Sequence, residues 1–222
     1  MSQTELFQQR LPEHTLEHEI MQRWSPDTLL WRGLARRYET DILTALENIF
    51  IAAPPRQLQT PGGKTMSAAM TNSGDCGWVS DRKGYRYEPN DPLSGEPWPQ
   101  LPDSFLAVAQ IAAQEAGYAN FDPDVALINL YQPGTAMSLH QDRDEVDFSQ
   151  PIVSISLGLP MTFLWGGHQR RDKPEQYLLE HGDVLVWGGA DRLRFHGVKK
   201  LAAGEHPLLG SKRINITLRR AR

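Results

Sequence analysis

Apolar residues change their spacing near residue 120. Before that point Tyr38, Ile42, Ala45, Leu46 and Ile49 recur at the three- and four-residue intervals that line one face of a helix. Pro54-Pro55 ends this pattern, since proline supplies no N–H and disfavours helical backbone in the residue before it. A second stripe, Phe105, Val108, Ala109 and Ala112, predicts a helix over 103–116, with Asp103 or Ser104 capping it after Pro102 and Gly117 closing it. Beyond Gly117 short β-like runs follow one another: Val125–Tyr131, Ile152–Leu157, Met161–Trp165, Tyr177–Leu179, Val184–Trp187, Leu193–Phe195 and Arg213–Leu218. Turn residues such as Pro133-Gly134, Gly166-Gly167 and Gly188-Gly189 separate them, which is the signature of a barrel or jelly roll. Residues 60–102, rich in Gly, Pro, Tyr and Trp, read as short strands and loops. Residues 1 to about 35 read as a polar lead-in. No linker divides the chain, so the fold expected is mainly β with flanking helices (α+β), the helices buttressing one β-core.

Composition narrows the classes. With 40% hydrophobic and 23% charged residues, the 222-residue chain falls among soluble globular proteins rather than disordered or collagenous ones. No apolar run approaches the ~18–20 residues of a membrane span, so no membrane partner is expected. Met1 to Arg10 carries neither a basic leader nor an apolar core, so no signal peptide is expected. The single cysteine, Cys76, excludes an intramolecular disulfide and, in practice, a cysteine-only metal site. Any metal must therefore be held by His and carboxylate, and the expected compartment is the reducing cytoplasm. The net charge of −4 argues against a whole-surface nucleic-acid binder, but charge is patterned. Residues 192–222 hold nine basic residues and one acidic, which fits either a solvated face or a local anion site.

His140-Gln141-Asp142 is the first candidate for chemistry. On extended backbone, residues i and i+2 face the same way, so imidazole and carboxylate project together. His196, 54 positions after Asp142, is the candidate third ligand. Two His and one carboxylate on one face of a metal leave three positions open, the arrangement of non-haem Fe(II) oxygenases. His181-Gly182-Asp183 is a second H-x-D, read instead as a hairpin turn with positive φ at Gly182. In Arg213-Ile214-Asn215-Ile216-Thr217-Leu218-Arg219, strict alternation puts Arg213, Asn215, Thr217 and Arg219 on one face. That face is either a solvent-facing edge or an anion pocket on an inner wall, where a guanidinium grips a carboxylate through two parallel bonds. Asn129 and Tyr131 alternate in the same way in the earlier run.

Asn129-Leu130-Tyr131, His140-Gln141-Asp142, His196 and the Arg213-x-Asn215-x-Thr217-x-Arg219 strand together resemble the AlkB family of Fe(II)- and 2-oxoglutarate-dependent dioxygenases. The likeness continues in 60–72, Gly77-Trp78, Gly84-Tyr85-Arg86-Tyr87, 154–158 and 181–189, and covers roughly 55–220. It implies a double-stranded β-helix core over 120–222, a nucleotide-recognition lid over 60–100 within a single dioxygenase domain (56–222), and an N-terminal extension and helix (1–55) of unassigned role. It implies Fe(II) at His140, Asp142 and His196, and 2-oxoglutarate at Asn129, Tyr131, Arg213, Asn215, Thr217 and Arg219, with O2 as co-substrate. Leu130 belongs to that cofactor motif, although by alternation it faces away from the pocket. The implied substrate is alkylated DNA of the 1-methyladenine and 3-methylcytosine type, single-stranded by preference, or RNA. Demethylation would release formaldehyde, succinate and CO2 and repair the base directly. Trp78, Tyr85, Tyr87, Asp144 and Arg170 would receive the nucleotide. A protein or metabolite substrate, or a non-catalytic jelly-roll binding module, stays open as an alternative. The chain has no feature demanding more than a monomer.

Overall fold

The computed structural model describes residues 20–222; what the sequence suggests for residues 1–19 lies outside them. Strands β1 (Met21–Ser25) and β2 (Thr28–Trp31) come first, followed by a 3-10 turn over Leu34–Tyr38 and helix α1 (Glu39–Ala52). Strands β3 (Arg56–Gln59), β4 (Thr65–Gly74), β5 (Gly77–Asp81) and β6 (Gly84–Glu88) lead into helix α2 (Asp103–Ala116). The core follows as β7 (Val125–Tyr131), β8 (Met137–His140), β9 (Ile152–Gly158), β10 (Met161–Trp165), β11 (Glu175–Leu179), β12 (Val184–Trp187), β13 (His196–Val198) and β14 (Arg213–Arg219). Eight strands form one sheet in the order β1-β2-β12-β9-β14-β7-β4-β3. A second sheet has the order β11-β10-β13-β8, and β5 and β6 make a separate hairpin. The fold is a jelly roll with flanking helices, as the spacing of short strands predicts.

The outer face of the large sheet is closed by the two helices. Phe105, Val108, Ala109 and Ala112 of α2 are fully buried against Ile155, Ile216 and Leu218, together with Ile42, Leu46 and Ile49 of α1. Burying a side chain of this size is worth about 1.5–3 kcal/mol, which explains why helices of modest intrinsic stability hold here. The end of α2 is as expected, Gly117 taking φ 102°. Its start is not: neither Asp103 nor Ser104 caps through its side chain, and the Phe105 and Leu106 N–H groups bond to the Pro102 carbonyl.

Several expectations are corrected. The part of the lead-in from Met21 to Trp31 is a hairpin that joins the large sheet, β2 pairing with β12 from Thr28↔Trp187 to Trp31↔Val184. Because β2 is buried on both faces, Thr-Leu-Leu-Trp shows no alternation to betray it. Leu193–Phe195 is not a strand. It leaves a 3-10 turn over Gly189–Asp191, the Arg194 N–H bonds to the Asp191 carbonyl, and pairing starts only at His196. His181-Gly182-Asp183 does turn with φ 87° at Gly182, but it is no hairpin, for it carries the chain from β11 in one sheet to β12 in the other. Its polar groups are spent on structure: His181 Nδ1 accepts the Gly158 N–H at 2.9 Å, its Nε2–H donates to Glu39, and Asp183 accepts the Glu180 N–H at 2.8 Å.

No described helix is long and apolar enough to cross a membrane. Cys76 is fully buried beside Val125 and Ala221. Burial, with Asp124 nearby, pushes its thiol up to about 11. Only the thiolate attacks, so the native protein should react with a thiol reagent at least about a hundredfold more slowly than the denatured chain. Equal rates in buffer and denaturant would contradict this packing.

Candidate iron and 2-oxoglutarate site

The two sheets face each other across a hollow of about 830 Å³. At its floor, ligand atoms of His140, Asp142 and His196 lie within 4.8 Å of one another. Sheet register brings the imidazoles together, since His140 and His196 are direct partners across β8 and β13. Their rings are 4.5 Å apart, with Nε2 of His140 3.7 Å and Nε2 of His196 3.6 Å from Asp142. Each Nδ1 lies on a backbone carbonyl, Ser138 at 2.9 Å and Arg194 at 3.1 Å. A carbonyl accepts only, so each Nδ1 carries the proton and each Nε2 lone pair is left free for a metal. Removal from water pushes the His140 imidazole down to about 4, with His196 adding to the effect, so the neutral ligand form prevails at ordinary pH. Burial alone would raise the Asp142 carboxyl. The Arg219 guanidinium, 2.7 Å away, and the His196 and His140 imidazoles together outweigh burial and hold it well below the usual carboxylate range.

A ring of buried charges fixes Asp142 further. Arg192 donates to the Asp142 carbonyl at 2.7 Å and to Glu145 at 3.1 Å, and Glu145 also lies 3.3 Å from Arg219. Neither Glu145 nor Arg192 was legible as functional. In sequence Glu145 sits in an acidic stretch that looks solvated, yet it is 5% exposed. Tyr87 is a correction to the expected channel lining. Its hydroxyl donates to Glu145 at 2.6 Å and accepts from Arg219 at 3.2 Å, and it does not line the hollow.

The polar face of β14 turns inward. The strand lies between β9 and β7, with Arg213 opposite Tyr131 and Asn215 opposite Asn129, so it is no solvent-facing edge. Arg213 is 2% exposed and bonds only to neutral acceptors: Ser156 Oγ at 2.7 Å and the carbonyls of Leu159 and Leu179 at 3.1 and 3.2 Å. Among the described residues it forms no ion pair. Its Nε, the Arg219 Nε and the Asn129 Oδ1 are all buried without a hydrogen-bond partner. Orphaned buried polar atoms are costly and uncommon, and here four, these three and the Trp187 indole Nε1, belong to residues lining one hollow. A small dicarboxylate that chelates a metal at one end and pairs with Arg213 at the other fits this donor set. Thr217 donates to Asn215 Oδ1 at 2.9 Å, and Asn215 donates to Ser154 Oγ at 2.7 Å, which fixes the amide's orientation. Ser154 and Ser156 are supporting residues that sequence reasoning passed over. The signal was there: two hydroxyls at alternate positions in an otherwise apolar strand. Leu130, as alternation predicts, packs its side chain into the core on the helix side.

At the mouth, Trp78 and Tyr85 stack at 5.5 Å and 14°, and the Trp78 indole N–H donates to Asp144 at 2.8 Å. Asn72 of β4 clamps Trp78 through both backbone groups, at 2.9 and 3.1 Å, tying the hairpin to the large sheet. At Gly77 a Cβ would stand 2.3 Å from the Trp98 ring, so only glycine lets the hairpin sit this close. Arg170, with Lys64, Arg143 and Lys200, adds positive charge to the lining.

The description "2OG-Fe(II) oxygenase superfamily" matches residues 17–219. The chain is 50% identical over 197 residues to "Alpha-ketoglutarate-dependent dioxygenase AlkB" of Salmonella typhimurium, covering 89% of this chain and 91% of that one. It is 49% identical over 193 residues to the protein of the same name in Escherichia coli, covering 87% and 89%. Among solved structures, "The structure of OsALKBH1" superposes with a TM-score of 0.78 at 27% identity, covering 90% of this chain and all of that one. A hollow built for a ferrous ion and a ketodiacid, set in this fold and matched over nearly the whole chain, places the protein in the AlkB family of 2-oxoglutarate-dependent dioxygenases.

Proposed function

We propose that this dioxygenase removes N-methyl groups from flipped bases of alkylated DNA, single-stranded by preference, with His140, Asp142 and His196 as iron ligands and Arg213 as the anchor for 2-oxoglutarate. Asn129, Tyr131 and Asn215 complete the co-substrate's cradle. When bound, the iron and 2-oxoglutarate supply the means to activate O2 and oxidise a C–H bond, with succinate and CO2 as by-products. The protein's part is placement. The Trp78–Tyr85 pair offers a π-face to a base whose methyl group leaves it cationic. Asp144 offers a carboxylate to that charge and to the exocyclic amino group. A methylated base has lost much of its pairing energy, so taking it from the stack costs little. The hydroxymethylated nitrogen then sheds formaldehyde. The observation carrying this reading is the stacked, carboxylate-tethered aromatic pair at the mouth of a hollow that ends in the three ligands. The lone buried thiol and the ferrous requirement fit work as a monomer in the reducing cytoplasm.

Trp78→Ala should lower kcat/KM for a 3-methylcytosine oligonucleotide by about 5- to 150-fold, the worth of one base–aromatic stack. It should leave the absorption band formed on anaerobic 2-oxoglutarate addition unchanged. Unaltered demethylation in Trp78→Ala would sink the substrate assignment while sparing the cofactor site. Matching DNA and RNA oligonucleotides in the same assay decide which polymer is the better substrate.

A further inference from the structure

Four oxidisable rings run from the metal-side imidazole of His196 towards solvent. The Trp187 indole stands edge-on to His196 at 5.1 Å. Trp165 meets Trp187 at 6.0 Å, and Trp24 meets Trp165 at 5.9 Å. Tyr177 stacks on Trp24 at 3.7 Å and 15°. At the outer end the Tyr177 hydroxyl donates at 2.6 Å to Glu175, an exposed carboxylate. The path crosses β12, β10, β1 and β11, so it is assembled from both sheets and the N-terminal hairpin. Packing alone explains a ring cluster, and Phe163 sits in the same one. Packing does not require that every link be tryptophan or tyrosine, the rings that give up an electron most readily. Nor does it require a proton acceptor on the phenol at the surface.

We propose that Trp187, Trp165, Trp24 and Tyr177 form an electron relay that drains oxidising equivalents from the metal centre when O2 is activated with no methylated base in place. The proposal rests on the iron and 2-oxoglutarate reading above. Decarboxylation of 2-oxoglutarate places one oxygen atom of O2 in succinate and leaves the centre short of two electrons. A substrate C–H bond ordinarily supplies them. Without it, one electron passes from Tyr177 through Trp24, Trp165 and Trp187 to the centre, which takes a proton from water in the hollow. The phenol O–H proton moves to Glu175, leaving a Tyr177 phenoxyl radical. A one-electron reductant of the ascorbate class then supplies two further electrons. One, with a second proton, completes reduction of the remaining oxygen atom to water. The other restores Tyr177, which recovers its proton from Glu175.

The local chemistry favours the outer end as the resting place of the radical. Burial, with Glu175 adding to it, pushes the Tyr177 phenol up to about 12, so its proton leaves only as the electron does. The Arg194 guanidinium lies 4.8 Å from the Trp165 ring and disfavours a positive charge there, although its pairing with Asp191 at 3.2 Å offsets part of that. Trp165 therefore passes charge without holding it.

The test uses protein loaded anaerobically with Fe(II) and 2-oxoglutarate, the absorption band certifying a filled site. Oxygen is admitted without nucleic acid, and samples are frozen for electron paramagnetic resonance. The wild type should give a phenoxyl signal that is lost in Tyr177→Phe and replaced by a tryptophan radical. Trp165→Phe, which keeps an aromatic ring in place, should cut the phenoxyl yield and hasten inactivation. Demethylation of methylated DNA should be unchanged in Tyr177→Phe. A band and succinate release with no phenoxyl signal, or a signal that survives in Tyr177→Phe, overturns the relay and leaves the cofactor site standing. Failure of the band to form overturns the site reading, and the relay with it.

Discussion

Asp142→Ala should release no formaldehyde above background while remaining folded. The carboxylate has two tasks, and no neighbour can take over the first. It is the one acidic member of the three-residue cluster, and it neutralises Arg219 at 2.7 Å in a buried setting. Removing one partner of a buried ion pair costs about 3–5 kcal/mol, because the other charge stays behind unpaired. Here Glu145 remains 3.3 Å from Arg219, so the loss should be about 3 kcal/mol, enough to lower the melting temperature but not to unfold the domain. The carboxyl is held below its ordinary range. Its contribution to stability is therefore full above the unfolded pKa of about 3.9 and is lost as acid protonates it in the folded state. Asp142→Asn, which keeps the shape, should accordingly flatten the acid limb of the stability–pH curve and should also be inactive. Iron uptake measured beside circular dichroism separates the two tasks. Retained turnover in either variant would remove Asp142 from the metal site.

Arg213→Lys should weaken 2-oxoglutarate binding by about 10- to 100-fold with little change in iron uptake. Lysine keeps the charge but lacks the planar fork, and it cannot reproduce the three bonds that orient Arg213 against Ser156, Leu159 and Leu179. One charge-assisted bond is worth about 1.5–3 kcal/mol, and every 1.4 kcal/mol is tenfold. Burial lowers the Arg213 guanidinium to about 10, which still leaves it cationic at neutral pH, so what changes is geometry rather than charge. Thermal shift reads this independently of turnover. A ligand at a hundredfold over its Kd stabilises by about 2.7 kcal/mol, and a hundredfold weaker variant under the same conditions gains under about 0.5 kcal/mol. Equal stabilisation of both proteins would show that the ketodiacid is anchored elsewhere.

How far these sites were legible depends on the kind of signal each left. The alternation of Arg213 to Arg219 marks two faces, and the spacing of His140 and Asp142 marks a shared direction. Both follow from local backbone geometry, which is why they could be read from residues alone. The destination of the polar face could not. An edge strand and a central strand share one local pattern, and only the pairing of β14 with both β9 and β7 puts the arginines inside. Glu145 and Tyr87 show the opposite failure. Each carried a polar label suited to solvent or substrate, and each is taken up by the charge ring around Asp142.

From its own order of residues the chain determined its helices, most of its core strands and the chemical types needed at a ferrous site, because periodicity and donor character are short-range properties. Tertiary structure alone decided that His196 would stand across from His140, that Trp78 would bond to Asp144, and that Trp24 would reach Tyr177. The physical reason is the same in each case. These contacts join segments tens of residues apart or more, and their energy is realised only when both sheets have closed, so nothing within either segment records the partner it will meet.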